Sequence, residues 1–187
     1  MYKGEYYYEF DVSENQRKLA RSRADAEKKD VHSKYTIDPL GIYSGYIGEV
    51  VFDDLFPAAR YHNEHKDHAT KYDFLLGEYK IDVKTSLNKT NEGPKPEYWR
   101  GYNIPYYVKE WWSIDGGTDY YVFCDTPPDF SKLYMYGMVS CKDFYLQATS
   151  FTFKNGNVGF SITHRQMFEM SVLPLYENEM RVAFENV

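Results

Sequence analysis

Residues 72–86, read as Tyr-Asp-Phe-Leu-Leu-Gly-Glu-Tyr-Lys-Ile-Asp-Val-Lys-Thr-Ser, leave the chain little choice of local structure. A short apolar run is followed by Gly77-Glu78 and then by strict alternation of polar and apolar residues, which is the pattern of a β-hairpin closed by a two-residue turn of the mirror-image type. The turn sets the register. If Leu76 pairs with Tyr79, then Leu75 meets Lys80, Phe74 meets Ile81, and Asp73 stands opposite Asp82 on the same face. Lys84 lies two residues beyond Asp82, and the period of two in a strand puts it on that face as well.

Two carboxylates face to face repel each other unless one is protonated or a cation lies between them. A third acid is offered upstream. In residues 41–57, Ile47, Val50, Val51 and Leu55 recur at helical spacing and Pro57 marks the stop, so Glu49 sits at the flank of a buried helix face, with Asp53 one turn later. An acid beside an apolar stripe needs a reason. Three carboxylates suit a small hard cation such as Mg2+ or Mn2+, completed by water and a phosphate oxygen. Cleaving a phosphodiester needs an activated water and neutralisation of charge on the phosphoryl group, both of which such an ion supplies. Lys84 is placed to hold that water, to help deprotonate it, or to donate to the developing charge, and the spacing does not choose among these roles.

The remaining pattern is α/β. Residues 13–29 hold no Pro or Gly and many helix formers, with Ser13 as a cap, and residues 1–40 are expected to form a helical N-terminal extension to a single domain spanning 1–187. Six basic residues between Arg17 and Lys29 make that helix either an ordinary solvated one or an arm that touches a nucleic-acid backbone. Residues 60–71 are polar; His62, His65 and His68 are spaced as zinc ligands on a helix would be, and a solvated loop beside the site is the simpler reading. Residues 87–105 read as a long polar loop, 106–112 as a short helix or strand, and 120–125 and 134–140 as strands of the main sheet. A helix from Lys142, a hairpin around Asn155 and Gly156, and a helix from His164 interrupted by Pro174 complete the chain.

Tyr-Asp-Phe followed by Ile-Asp-Val-Lys-Thr-Ser resembles the signature of the PD-(D/E)XK nuclease superfamily. Asp73 matches its first acid, Asp82 and Lys84 its acid-x-lysine, and Glu49 in Gly-Tyr-Ile-Gly-Glu-Val the glutamate from the preceding helix. The likeness covers roughly residues 41–86. Tyr72 stands where the pattern has proline, and the Q-x-x-x-Y helix of the recombination branch is absent after Ser86. The resemblance implies a restriction-endonuclease-like αβββαβ core with a central mixed sheet flanked by helices, dependence on Mg2+ with Mn2+ as an alternative, metal ligation by Asp73, Asp82 and Glu49, and hydrolysis of nucleic acid.

Composition bounds the partners. The net charge of −6 argues against a chain that coats nucleic acid through a basic surface, yet residues 57–109 carry nine Lys or Arg against seven Asp or Glu, while residues 110–187 carry five against ten. Arg60, Lys66, Lys89, Lys95 and Arg100 are therefore the candidates for a basic rim. Cys124 and Cys141 form no C-x-x-C unit, which suggests neither a disulfide framework nor a cysteine zinc site, and the 20 Tyr, 12 Phe and 3 Trp are read first as core and interface. With no secretory leader and no long apolar run, a soluble, intracellular, cytoplasmic protein is expected, without membrane contact. The expected activity is metal-dependent DNA endonuclease, acting alone or as a homodimer. An exonuclease or RNase with the same centre, or a catalytically silent nucleic-acid-binding scaffold, are the alternatives.

Overall fold

The computed structural model of the chain describes residues 1–30, 39–62, 72–91, 93–95, 99–102, 117–152 and 158–185. Its centre is a seven-stranded mixed sheet, with helices packed on it, so the chain is α/β. In spatial order the strands are β1 (Tyr2–Lys3), β2 (Tyr8–Asp11), β8 (Lys132–Ser140), β7 (Tyr120–Thr126), β5 (Tyr79–Leu87), β4 (Phe74–Leu76) and β3 (Ala59–Tyr61). Neighbours are antiparallel except β5 and β7, which run parallel from Ile81↔Tyr120 to Leu87↔Thr126. A smaller antiparallel sheet orders β6 (Trp99–Tyr102), β10 (Val158–Thr163) and β9 (Thr149–Thr152).

Several elements follow their sequence signals closely. The hairpin of β4 and β5 has the expected register, Leu76↔Tyr79, Leu75↔Lys80 and Phe74↔Ile81. Gly77 takes a φ of +62°, and Glu78 is not among the described residues with positive φ, which is the type II′ arrangement. Helix α1 (Glu14–Asp30) begins at a reciprocal cap, in which Ser13 Oγ accepts from the Gln16 amide and Gln16 Oε1 accepts from the Ser13 amide. Helix α2 (Pro39–Leu55) buries Ile47, Val50, Val51 and Leu55 as the spacing requires. Helix α3 (Cys141–Gln147) is capped by Ser140. Helix α4 (His164–Glu169) is capped by Thr163, and Pro174 opens a 3-10 turn (Leu173–Tyr176) before α5 (Glu177–Glu185).

Three expectations need correction. The N-terminal stretch is not helical throughout, because Tyr8, Phe10 and Val12 alternate inward and Glu9 and Asp11 outward, so residues 8–11 join the main sheet beside β8. The polar segment after Pro57 opens with a strand, β3, which borders β4. Part of the presumed 87–105 loop is strand β6. His65, His68, Lys66 and residues 106–112 lie outside the described residues.

The main sheet separates two apolar clusters. On one face Ile81, Val83, Val122 and Cys124 meet α2, behind which α1 packs through the small side chains of Ala20 and Ala24. On the other, Tyr121, Phe123, Tyr134 and Tyr136 meet Phe144 of α3, Phe160 and Ile162 of β10 and Met167 of α4. Most of the abundant aromatics in these clusters are core. Both cysteines are buried thiols outside any disulfide, and burial pushes the Cys141 thiol up to about 12. Among the described residues no helix is long and apolar enough to cross a membrane.

Helix α2 approaches β5 very closely at Gly48. A Cβ built there would lie 1.9 Å from Thr85 Oγ1 and 3.1 Å from Val83 Cγ1. Gly48→Ala is expected to destabilise the fold by about 1–2 kcal/mol, the overpacking outweighing the gain in helix propensity. Chemical denaturation of Gly48→Ala, Thr85→Ala and the double variant checks this: Thr85→Ala should restore most of the loss, and additive effects would show that the contact is not the cause.

Candidate functional site

Asp73, Asp82 and Lys84 meet where β4 leaves β5, and Glu49 of α2 is near enough to influence the two aspartates electrostatically. The ladder between these strands ends at Phe74↔Ile81, one residue short of the expected Asp73–Asp82 pair. Asp73 lies just outside β4; its amide donates to Ile81 O at 2.8 Å. Val83, which would have continued the ladder, donates its amide to Asp73 Oδ2 at 2.8 Å. The Asp73 carboxylate thus takes the place of a missing strand residue, which fixes it against β5 by a hydrogen bond that the register alone does not foretell.

Asp82 and Lys84 project from β5 on the face shared with Tyr121 and Phe123. Lys84 Nζ lies 2.7 Å from Asp82 Oδ2, and its side chain keeps 31% of its surface open. Glu49, on α2, is only 8% exposed, and its Oε2 accepts from the Tyr61 hydroxyl at 2.9 Å.

The electrostatics of the group are those of crowded acids. Burial raises the Glu49 carboxyl to about 7; the Tyr61 hydrogen bond and Arg23 oppose this, while Asp82 and Glu27 add to it. Asp73 is held well above the usual carboxylate range, first by burial and then by Glu49 and Asp82, against the pull of Lys84 and the Val83 amide. For Lys84, burial pulls the ammonium down but Asp82 and Asp73 more than offset it, so it stays a cation.

The oxygens fit a hard cation by their chemistry. One oxygen of each carboxylate is engaged, Glu49 Oε2, Asp73 Oδ2 and Asp82 Oδ2, while the second makes no hydrogen bond among the described residues. Burial first, and then the neighbouring acids, raise Glu49 and Asp73, and a divalent ion would offset both effects. The ligand set is not preassembled: among the described residues no three His, Cys, Asp or Glu side chains already stand as a group able to hold a metal ion. The ammonium of Lys84 occupies part of that role on Asp82.

A pH dependence of stability follows for chelator-treated protein. Between about pH 4.5 and pH 7 the unfolded chain has released the Glu49 proton while the folded chain retains it. The unfolded state binds fewer protons there, so stability falls as pH rises through that window. Asp73 acts in the same direction. The Tm of metal-free protein is expected to be several degrees lower at pH 8 than at pH 5, and Glu49→Gln should reduce the difference. A Tm that rises across this range in the wild type and is unchanged by Glu49→Gln would contradict the crowded-acid account.

Other candidates fare unevenly. Arg60, Lys89 and Lys95 are exposed, Arg100 lies on β6, and Lys66 is outside the described residues. Three of the six basic residues of α1 are engaged within the fold, Arg17 donating to Val12 O, Arg21 lying over the Tyr43 ring and Arg23 over the Tyr61 ring, while Lys18 is exposed and the side chains of Lys28 and Lys29 lie outside those described. That favours a structural helix over a nucleic-acid arm. Among the described residues His62 is not gathered with other metal ligands, and its ring stacks on Tyr72. Sequence reasoning missed Tyr61 and Arg23, whose places depend on strand β3 and on the docking of α1, neither of which has a local signal.

Asp125, on β7, and His164, at the start of α4, form a second buried polar group. His164 Nε2 lies 3.4 Å from Asp125 Oδ2, its ring stacks on Tyr136 at 3.8 Å, and the Tyr136 hydroxyl donates to the same carboxylate at 3.0 Å. His164 Nδ1 lies 3.0 Å from Lys95 O, which ties residues 93–95 to the sheet. No family model matches the chain, and no curated protein matches it.

Proposed function

We propose that the chain is a Mg2+-dependent DNA endonuclease whose centre is Glu49, Asp73, Asp82 and Lys84. The observation that carries this reading is the meeting of Asp73, Asp82 and Lys84 at the break between β4 and β5, with the Glu49 carboxyl raised to about 7 in their company. Crowded acids of this kind cost stability and persist where function needs them. The order α2, β3, β4, β5 and then β7 in one mixed sheet supports a restriction-endonuclease-like core; its second helix would fall within residues 88–119, only part of which is described.

Asp73, Asp82 and Glu49 would hold the ion, Mg2+ or Mn2+. When bound, it supplies positive charge at the phosphoryl oxygens and makes water a better nucleophile. Asp73 and Asp82 orient their free oxygens from a rigid strand and its neighbour. Glu49 reaches in from the opposite layer, because Gly48 lets α2 lie close to β5. Lys84 acts as a donor: an ammonium held beside Asp82, partly open to solvent, stabilises negative charge on the phosphate and steadies water rather than removing its proton. Arg60, Lys89, Lys95 and Arg100 form the candidate rim for the DNA backbone. With one centre per chain, cutting both strands calls for a homodimer or two successive nicks.

Incubation with linear, circular, branched and single-stranded DNA and RNA, with and without Mg2+, tests the reading. Nicking or linearisation of circular DNA only with metal is the expected result. Degradation confined to free ends makes it an exonuclease, cleavage of RNA alone an RNase, and binding without cleavage of any member a silent scaffold.

A further inference from the structure

Glu49 is held directly from one element other than its own and, through that contact, from a second. From the edge strand β3, the Tyr61 hydroxyl donates to Glu49 Oε2 at 2.9 Å. From α1, the Arg23 guanidinium lies 4.1 Å from the centre of the Tyr61 ring, with Nη2 3.4 Å from Asp53 Oδ2. Asp53 follows Glu49 by one turn of α2, so the guanidinium lies between a carboxylate it pairs with and the aromatic ring that holds the other. Phe74, the first residue of β4, backs the ring at 5.2 Å. Tyr61 thus holds one carboxylate oxygen of Glu49, while Arg23 of α1 and Phe74 of β4 hold the Tyr61 ring.

We propose that Tyr61 and Arg23 are positioning residues for Glu49, fixing its carboxylate so that the second oxygen faces Asp73 and Asp82; the proposal rests on the assignment of Glu49 to the nuclease centre. A purely structural role accounts poorly for the arrangement. Arg23 Nη1 is buried and finds no hydrogen-bond acceptor, an arrangement that costs stability and that an apolar side chain over the same ring would avoid. Strand β3 is only three residues long and ends on Tyr61. Its contribution to the sheet is small, whereas its contribution to Glu49 is a direct hydrogen bond. Outer partners of this kind orient a ligand and tune its basicity.

Tyr61→Phe is the sharpest test, because it removes the hydroxyl and keeps the ring on which Arg23 and Phe74 pack. It is expected to lower Mn2+ affinity by calorimetry, or kcat, by about 10- to 100-fold, with KM for DNA and Tm little changed. Arg23→Lys keeps the charge but not the planar group and should fall between Tyr61→Phe and the wild type. A readout independent of cleavage is the side-chain carboxyl 13C signal of Glu49 at pH 9, assigned with Glu49→Gln; it should move in Tyr61→Phe. Wild-type Mn2+ affinity, kcat and Glu49 signal in Tyr61→Phe would overturn the positioning role alone. A wild-type chain that cleaves nothing and binds no Mn2+ would remove the nuclease reading and the role with it.

Discussion

Asp82→Asn is expected to bring Mg2+-dependent cleavage down to background while the protein remains folded. The substitution preserves the volume of the side chain and removes one of the proposed anionic ligands, so the oxygens of Asp73 and Glu49 would face the ion without the carboxylate carried by the rigid strand β5. Its effect on stability should be small, within about 1 kcal/mol. Loss of the partly exposed pair with Lys84 is offset by relief of repulsion on Asp73 and Glu49, both of which feel Asp82. Calorimetry with Mn2+ should show weakened binding in the same variant. Cleavage at the wild-type rate by Asp82→Asn would end the assignment.

Lys84→Ala should separate the two halves of the chemistry. It leaves every carboxylate in place and frees Asp82 Oδ2 from the ammonium 2.7 Å away, so affinity for Mn2+ should be retained or increased. Cleavage should nevertheless fall by roughly two to four orders of magnitude, the scale of one positioned electrostatic or proton-transfer group. The contrast is the informative part. If both metal affinity and cleavage are lost together, Lys84 is needed to organise the carboxylates rather than to act on the phosphate. If neither changes, it is no part of the centre.

How much of this was readable in the residues varies with the range of the interactions concerned. The β4–β5 register was legible because Gly77-Glu78 admits one short turn and the alternation after it admits one face for Asp82 and Lys84. Glu49 was legible as a residue on the edge of a buried helix face. The exact seat of Asp73 was not, since it depends on where the ladder stops and on an amide of Val83 that seeks an acceptor. Tyr61 and Arg23 were illegible for a different reason: each is ordinary in its own segment, and they meet only after α1 docks on α2 and β3 borders β4. The N-terminal strand was legible and overlooked. Tyr8, Phe10 and Val12 alternate as plainly as Ile81 and Val83 do, but the strong helix signal after Ser13 drew the whole segment toward a helical reading. Strand β6 escaped because Gly and Pro punctuate its surroundings, and its partner β10 lies more than fifty residues away.

The pairing of β2 with β8 sets an order of assembly during synthesis. Residues 8–11 hydrogen-bond with residues 132–135, and β7 joins β5 across an intervening stretch of more than thirty residues. The β4–β5 hairpin that carries Asp73, Asp82 and Lys84 closes locally and can form as soon as it is made, whereas β2 waits for most of the chain. Until residue 135 leaves the ribosome, β2 has an unpaired edge and the apolar side chains of Tyr8 and Phe10 have no sheet to cover. The β4–β5 hairpin can therefore close before the sheet that rigidifies it is complete, so Asp73, Asp82 and Lys84 can be brought near one another before the scaffold that holds them in place.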